Sequence, residues 1–167
     1  MVLTLSLARE RRRRIKLYFA GSIRGGRDDA KVYHQIIVLL AQYGTVLTEH
    51  VGDPALTPAG EDGLSDEAIY KRDMAWLRDA DVVIAEVTTP SHGVGYEIAQ
   101  AEAMGKPTLC LRRQRTGCSP LSAMLAGNPR LRCQSYNNVE DLRPILEQFL
   151  RHAKSQPSSS PTLRQMG

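Results

Sequence analysis

The sequence predicts an α/β protein with a doubly wound, five-stranded parallel sheet of the Rossmann or flavodoxin-like type. Short apolar segments alternate along the chain with segments of helical periodicity. Such alternation is typical of parallel sheets covered by helices on both faces. The 167 residues suffice for one domain with a substantial core. In these folds ligands bind beyond the carboxyl ends of the strands, where the strand order reverses.

The first two predicted strands flank a helix. Residues 15–21, IKLYFAG, form a short apolar run ended by glycine, which is typical of a buried strand. Residues 27–43 have apolar side chains on one helical face and are followed by Gly44, which predicts a helix and its end. Residues 45–51, TVLTEHV, predict the second strand. Residues 52–64, with Gly, Pro and Asp, predict a loop long enough to suggest function.

The middle of the chain contains the most clearly defined strand. Ser65 is placed to cap a helix over residues 66–80. Residues 81–87, DVVIAEV, contain four consecutive apolar residues and lead into a TTPSHG loop. A helix over 93–105 follows that loop. The remaining elements are a strand at 107–111, a short helix at 120–126, a strand at 131–136 and a helix at 138–153.

We expect the folded domain to cover residues 15–153. The basic arm 1–14 and the polar, Pro/Ser-rich tail 154–167 are both predicted to be disordered. The arm begins with its apolar stretch and continues with its charges, the reverse of a secretory signal. The chain has no run of 18 apolar residues, so no membrane-spanning helix is predicted.

The positive charge of the chain belongs to the arm. The net charge is +4, and residues 9–16 contain six Lys or Arg residues and one Glu. The rest of the chain has 16 basic and 17 acidic residues, so we predict no nucleic-acid binding by the folded domain. The arm itself fits either a nuclear-localisation or nucleic-acid patch or a solvated segment. A cytoplasmic or nuclear location fits both interpretations.

The cysteines indicate a reducing compartment. Cys110, Cys118 and Cys133 are odd in number and lack CxxC or metal-ligand spacing. We therefore expect no disulfide framework and no structural zinc.

A carboxylate on the apolar face of the helix at 93–105 is the first sign of a catalytic site. A helical wheel places Val94, Ile98, Ala101 and Gly105 on one arc, with Glu97 inside it. A first-turn Glu that only complements the helix dipole would point outward.

A second carboxylate lies in the same way on the preceding helix. Asp73 sits at the centre of a stripe formed by four apolar residues, whereas Lys71, Arg72 and Arg78 lie on other faces; the stripe is Ile69, Trp76, Leu77 and Ala80. Such an Asp can be a structural partner of an Arg. Two inward carboxylates at the ligand end of a sheet also suit cleavage of a glycosidic bond, which needs an ionised nucleophile and an acid of raised pKa.

The loop after the first strand is a candidate phosphate site. AGSIRGGRDD matches neither a Walker A loop nor GxGxxG, but it places three glycines and two arginines before a helix. A glycine-rich turn with solvated arginines remains the alternative. The candidates are Gly21, Ser22, Ile23, Arg24, Gly25, Gly26 and Arg27.

Other candidates come from the neighbouring loops. Ser91 and Gly93 follow the third strand and allow a ligand to approach the backbone closely. Tyr18 ends the first strand at the mouth of the site, where a core aromatic would also fit. His50 and His92 lie in site loops without metal-ligand spacing, so we predict no metal and no cofactor.

Six segments resemble the 2′-deoxynucleoside 5′-phosphate N-hydrolases of the nucleoside 2-deoxyribosyltransferase superfamily. They occur in the same order over about residues 15–150: LYFAGSIRGGR, VLTEHV, DMAWLRDADVVIAEVTTPS, GVGYE, GKPTLCL and LSAM. The resemblance implies hydrolysis of deoxynucleoside monophosphates to a free base and 2-deoxyribose 5-phosphate, without cofactor or metal. It also implies a homodimer with shared sites.

The resemblance implies roles for individual residues. Glu97 matches the nucleophile that attacks C1′, Asp73 matches the acid that assists departure of the base, and Tyr18 matches a tyrosine beside the nucleophile. Contacts to the 5′-phosphate are implied for Ser22, Arg24, Ser91 and, from the neighbouring subunit, Ser122. Met124 of the same LSAM segment and His50 are further candidates for substrate binding.

The sequence departs from this pattern in two places, and three alternatives stay open. His92 stands where we expect an apolar residue, and RRQRTGCSP before LSAM is unusually basic. A deoxyribosyltransferase would pass the sugar to a second base, but the Arg-containing loop argues against it. A hydrolase of ribonucleotides such as CMP is the second alternative. A non-catalytic nucleotide-binding module is the third, and it would need neither inward carboxylate.

Overall fold

A five-stranded, fully parallel sheet forms the centre of the molecule. The computed structural model describes residues 13–61, 63–117 and 120–155. Its strands are β1 (Lys16–Ala20), β2 (Thr45–Val46), β3 (Val82–Glu86), β4 (Thr108–Arg113) and β5 (Arg132–Tyr136). The spatial order β2-β1-β3-β4-β5 is the flavodoxin-like order, which confirms the predicted fold. The order reverses between β1 and β3, so the loops after these two strands flank a crevice.

Helices follow the strands as the periodicity predicted. They are α1 (Ala30–Leu40), α2 (Asp66–Asp79), α3 (His92–Ala103), α4 (Ala123–Ala126) and α5 (Leu142–Ser155), with 3₁₀ helices at Glu49–Gly52 and Val139–Asp141. The α3 helix ends two residues before the predicted 105, since Gly105 adopts a left-handed φ of 68°. Gly105 therefore terminates the helix and is not part of its buried face. None of the helices in the described residues is both long and apolar enough to cross a membrane.

The core occupies both faces of the sheet, because neighbouring residues of a strand point to opposite sides. On β1, Leu17 and Phe19 pack with α1 and α5. The alternate residues Tyr18 and Ala20 pack with α2 and α3. This alternation places the Tyr18 side chain on the same side of the sheet as Glu97.

The second strand is much shorter than the predicted 45–51. Only Thr45 and Val46 pair as a strand, and the chain then turns into the 3₁₀ helix Glu49–Gly52. The Thr48 side chain explains the early end. Its Oγ1 accepts from the Phe19 N–H at 2.9 Å and donates to the Phe19 carbonyl at 2.7 Å. A hydroxyl thus satisfies the backbone groups that a longer strand would pair.

The last residues of the arm lie against the domain. Arg13 forms an ion pair with Asp81, and Nη2 of Arg14 donates to the carbonyls of Ala41 and Gly44 at 2.9 and 3.2 Å. The α5 helix continues to Ser155, just inside the predicted tail. The rest of the arm, the rest of the tail and Cys118 lie outside the described residues.

Candidate active site

A cleft of about 770 Å³ opens at the carboxyl ends of β1 and β3. The loop after β1 forms one wall, α2 and the loop before it form the second, and the start of α3 forms the third. The predicted residues that line the cleft come from all three walls and include Arg24, Asp73, Ser91 and Glu97. This is the crevice where ligands bind in folds with this strand order.

Glu97 and Tyr18 form a hydrogen-bonded pair at this cleft, in which Tyr18 is buried and Glu97 is half-buried. Glu97 lies one turn into α3 between the buried Val94 and Ile98, as the helical wheel predicted. The Tyr18 hydroxyl donates to Oε1 of Glu97 at 2.5 Å, and Tyr18 itself is 1% exposed. Burial raises the pKa of Glu97 to about 7, an effect that the Tyr18 hydrogen bond opposes and the charge of Asp73 reinforces. The carboxylate therefore changes its charge near neutral pH.

The pair has the properties of a nucleophile and its orienting partner. Burial, together with the neighbouring Glu97 carboxylate, raises the pKa of the Tyr18 phenol well above its usual range. Tyr18 therefore stays protonated and acts as a hydrogen-bond donor. A carboxylate held in one orientation, poorly solvated and facing an open cleft, is suited to attack an electrophilic carbon.

Asp73 lies at the cleft edge of α2. The fully buried residues of this helix are Met74 and Leu77, whereas Asp73, Ile69 and Trp76 are half-buried. The observed buried face of α2 is therefore rotated toward Met74 relative to the predicted apolar stripe, which did not include Met74. Burial raises the pKa of Asp73, although hydrogen bonding to Arg72 acts in the opposite direction. A carboxyl group with a raised pKa at this position is suited to donate a proton.

Arg72 occupies a different face of α2 from Asp73, but its long side chain bends to contact Asp73. Its Nε donates to Oδ1 of Asp73 at 2.9 Å, and its Nη1 and Nη2 donate to the two oxygens of Glu61 at 2.6 Å each. The guanidinium carbon lies 4.7 Å from the centre of the Trp76 ring. The long side chain thus bends along the helix, which a wheel of Cβ directions does not capture.

Glu61 is a cleft residue that the sequence analysis missed. It lies in the long loop 52–64, whose length was the signal that could have pointed to it. Hydrogen bonds from Arg72 lower the pKa of Glu61. His50 lies close by, with Nε2 3.4 Å from Nη2 of Arg72, and burial lowers the pKa of His50. The carboxyl groups of Glu61 and Asp73 therefore both lie against the Arg72 guanidinium.

The loops after β1 and β3 are in close contact at Gly25. A Cβ at this position would lie 2.7 Å from Oγ of Ser22 and 2.9 Å from the carbonyl oxygen of Pro90. Only glycine lets the loop after β1 pack this closely against the loop after β3. Gly21, Ile23 and Gly25 line the cleft, whereas Ser22 is fully buried and its hydroxyl has no partner among the described residues.

The two arginines of the first loop have different surroundings. Arg24 lines the cleft and pairs with Asp66 in the first turn of α2 at 2.7 Å, with both side chains exposed. Arg27, which follows Gly26, donates to the backbone carbonyls of Val51, Asp53 and Leu56 at 2.8, 2.8 and 3.1 Å. Arg24 is therefore available to a ligand in the cleft, and Arg27 anchors the loop after the first 3₁₀ helix.

The start of α3 completes this end of the cleft. The Ser91 hydroxyl caps the helix by accepting from the Val94 N–H at 3.4 Å, and His92 and Gly93 line the cleft beside it. The first N–H groups of a helix and its dipole favour anions. Together with Arg24, they make this end suitable for a phosphate group.

Ser122 and Met124 lie outside this cleft. Both line a second cleft of about 560 Å³ between α3 and α4, which shares Ser91 and His92 with the first. The Ser122 hydroxyl caps α4 by accepting from the Met124 N–H at 3.3 Å, and Met124 is 81% exposed. In a single chain, Ser122 therefore lines a different cleft from the candidate catalytic residues Glu97 and Asp73.

Most of the described chain matches a known protein family. The family described as nucleoside 2-deoxyribosyltransferase matches residues 17–142, which contain every site residue discussed above. The chain belongs to this family. The family match therefore includes the carboxylate cluster, the loop after β1 and the start of α3.

Two members of the family are similar over long segments. The 5-hydroxymethyl-dUMP N-hydrolase of Mus musculus is 57% identical over 112 residues, which is 66% of this chain and 64% of the mouse protein. The enzyme of the same name from Danio rerio is 48% identical over 138 residues, covering 81% of this chain and 95% of the fish protein. A solved CMP N-glycosidase from Clostridium botulinum has a similar fold, with a TM-score of 0.54 at 21% identity over 80% of this chain and 98% of that chain.

Proposed function

We propose that this protein hydrolyses the N-glycosidic bond of 2′-deoxynucleoside 5′-monophosphates, releasing the free base and 2-deoxyribose 5-phosphate. The observation that carries the proposal is the hydrogen-bonded pair of Tyr18 and Glu97, which lies at a cleft that also contains Arg24, the start of α3 and a second carboxyl group, that of Asp73. The names of the mouse and fish relatives support the same reaction and suggest 5-hydroxymethyl-dUMP as the first substrate to test.

In the first step, the Glu97 carboxylate attacks C1′ of the sugar. The C1′–N bond breaks, its electron pair stays on the base, and Asp73 donates its proton to the departing base. This step leaves a covalent ester between Glu97 and the sugar, as in retaining glycosidases. The hydrogen bond from Tyr18 favours the ionised form of Glu97 before attack.

In the second step, water attacks C1′ of the ester. Asp73, now ionised, accepts a proton from the water, and the C1′–O bond to Glu97 breaks. The products leave with both carboxyl groups returned to their initial states. No oxidant, metal or second substrate is needed for this balance.

The 5′-phosphate is assigned to the end of the cleft at the α3 N-terminus. Arg24 and the first N–H groups of α3 supply positive charge there, and Ser91 supplies a hydroxyl group. The buried Ser22 hydroxyl, which has no partner among the described residues, lies beside the cleft-lining Gly25. A charged end of this kind favours nucleotides over free nucleosides, as expected for a hydrolase of monophosphates.

We further infer a homodimer in which Ser122 of the partner subunit completes the phosphate site. Two features support this proposal: Ser122 lies in the second cleft together with Met124, which is 81% exposed, and the exposed rings of Tyr70 on α2 and Tyr96 on α3 lie side by side, with their centres 6.3 Å apart. A two-fold contact would bring the same surfaces of two subunits together and place two sites near the interface.

We also propose a location in the cytoplasm or nucleus. Cys110 and Cys133 are free thiols that lie side by side on β4 and β5, which suits a reducing compartment. Imaging of the tagged full-length chain tests this proposal, and exclusive accumulation outside the cell would contradict it.

A panel of nucleotides tests the proposed reaction. The protein is incubated with deoxynucleoside and ribonucleoside monophosphates, including 5-hydroxymethyl-dUMP, and the released base is separated by chromatography. We expect release of base from at least one deoxynucleotide by the wild type and none by Glu97→Ala. Transfer of the sugar to an added second base, with equal use of free deoxynucleosides, would instead identify a deoxyribosyltransferase.

A further inference from the structure

Arg72 contacts three side chains near the proposed acid: Asp73, Glu61 and Trp76. One edge of its guanidinium, Nε, donates to Asp73, and the other two nitrogens grip Glu61 as a fork. The guanidinium carbon lies over the ring of Trp76, 4.7 Å from the ring centre. With a side chain that is only 23% exposed, Arg72 joins the loop before α2 to the proposed acid.

The contact with Asp73 is not a default of helix geometry. Consecutive residues of a helix point about 100° apart, so Arg72 and Asp73 do not face each other through their backbone positions. Two further contacts bend the arginine into place. Trp76 lies one turn further along the same helix, and its ring packs against the guanidinium. Glu61 accepts a hydrogen bond from Nη2 at the end of the side chain.

We propose that Arg72 is a positioning residue for departure of the base, holding the Asp73 carboxyl in the orientation in which it donates its proton. This inference rests on the proposed hydrolysis, in which Asp73 is the acid. Arg72 need not touch the substrate to act in this way. Its effect should therefore depend on how much proton donation a given leaving group requires.

The charges around Asp73 give the inference a second consequence. Asp73 is faced by groups from five neighbouring places in the fold: Arg72 on α2, His50 on the first 3₁₀ helix, Glu61 in the loop, Glu97 on α3 and Tyr18 on β1. Arg72 is the cation that touches Asp73, and it lowers the pKa that burial raises. Without Arg72, Asp73 should keep its proton to higher pH while losing its orientation.

A pair of substrates separates this role from a structural one. Deoxyuridine monophosphate needs protonation of its base, whereas 4-nitrophenyl 2-deoxyribose 5-phosphate releases a stable anion without it. For Arg72→Gln we expect kcat/KM with deoxyuridine monophosphate, which reports formation of the glycosyl ester, to fall on the order of 100-fold, the effect of misplacing a catalytic group. With the nitrophenyl substrate kcat/KM should stay near that of the wild type, because its first step needs no proton from Asp73, and this also shows that the variant is folded.

The pH dependence and two further variants complete the test. The alkaline limb of kcat with deoxyuridine monophosphate should move to higher pH in Arg72→Gln. Arg72→Lys restores a positive charge but not the fork, so the limb should return toward the wild-type pH while kcat stays low. Lys71→Gln is the matched control, since Lys71 is the preceding residue of the same helix and pairs with the exposed Glu67. It should leave both substrates and the limb unchanged.

The outcomes separate this inference from the proposed function. Equal loss with both substrates, or an alkaline limb that stays in place, would show that Arg72 only maintains the fold and would overturn the inference alone. A wild-type protein that cleaves neither substrate would overturn the proposed hydrolysis and the inference with it.

Discussion

The phenol oxygen of Tyr18 lies 2.5 Å from Oε1 of Glu97, so the middle of β1, rather than its predicted end, and the first turns of α3 are joined by one hydrogen bond. Tyr18 keeps its proton because burial raises its pKa, whereas the pKa of Glu97 is about 7. The bond therefore has a fixed donor and an acceptor whose charge depends on pH. Activity should follow that charge.

The Tyr18→Phe variant should move the acid limb of kcat/KM to higher pH. Tyr18 stabilises the ionised form of Glu97, so its loss raises the Glu97 pKa above about 7 and leaves less carboxylate at neutral pH. A hydrogen bond to a charged group contributes about 1.5–3 kcal/mol, which corresponds to a shift of roughly 1–2 pH units. The pH–rate profile measures the shift, and much of the lost rate should return in alkaline buffer.

Tyr136→Phe is the matched control for this shift. Tyr136 is also buried and donates to a buried carboxyl group, that of Glu86, at 3.1 Å, but neither residue lines the catalytic cleft. This change should leave the acid limb in place. An unmoved limb in Tyr18→Phe would disprove the proposed role of the hydrogen bond.

The Glu97→Gln variant should be inactive but more stable than the wild type at alkaline pH. The folded-state pKa of Glu97 is raised from 4.5 to about 7, so the folded protein binds the proton more strongly than the unfolded chain does. Stability is therefore lost as the pH rises from about 4.5 to about 7, and Gln avoids this loss. The gain above pH 7 should reach about 3 kcal/mol at most.

Denaturant unfolding at two pH values measures this gain. At pH 8 Glu97→Gln should unfold at higher denaturant concentration than the wild type, and at pH 4 the two should coincide. Glu102→Gln, on the same helix, is the control: Glu102 pairs favourably with Asn128 and Arg130, so its neutralisation should give no gain. A Glu97→Gln protein with equal or lower stability at pH 8 would contradict the raised pKa.

Arg24 and Asp66 should affect phosphate binding in opposite directions. Arg24→Ala removes a charge-assisted contact and should raise KM for a deoxynucleoside monophosphate by about ten- to 150-fold, with no change for the free nucleoside. Asp66→Asn removes the carboxylate that now holds Arg24 and should lower KM for the monophosphate. Lys31→Ala, an exposed change on α1, is the control. Equal effects of Arg24→Ala on nucleotide and nucleoside would remove Arg24 from the phosphate site.

Two inactive variants should restore activity when they are mixed. Glu97→Ala lacks the proposed nucleophile, and Ser122→Trp is expected to block the proposed phosphate site of the partner subunit. In a mixed dimer one site receives both changes and the other receives neither. Activity that appears after unfolding and refolding the two chains together would show shared sites. A fully active monomer in light scattering would exclude them.

Much of the fold could be predicted from the sequence because buried parallel strands read as apolar runs. The segment DVVIAEV contains β3, and the alternation of strands with helices indicated the layers. The exception was β2, where TVLTEHV has strand propensity but Thr48 uses its side chain to replace backbone pairing. A local propensity cannot reveal a contact with Phe19, 29 residues away.

The catalytic candidates could be predicted where a side chain follows directly from helical periodicity. Glu97 breaks the apolar face of α3, and the structure places it beside Tyr18. The cluster around Arg72 could not be predicted in this way. Its contacts depend on how a flexible side chain bends over Trp76 and meets Glu61 in a loop, and neither is fixed by sequence spacing.

The early end of β2 has a consequence for the solubility of the protein. A sheet whose outer strand stops after two residues exposes part of the next strand, and exposed edges can pair with another chain and start aggregation. Thr48 occupies both backbone groups of Phe19 at that place with one hydroxyl. The backbone groups of Phe19 are therefore not available to a strand of another molecule, and the chain can turn into the 3₁₀ helix Glu49–Gly52. Thr48→Val, which keeps the shape but removes the hydroxyl, should increase the tendency of the purified protein to aggregate during long incubation.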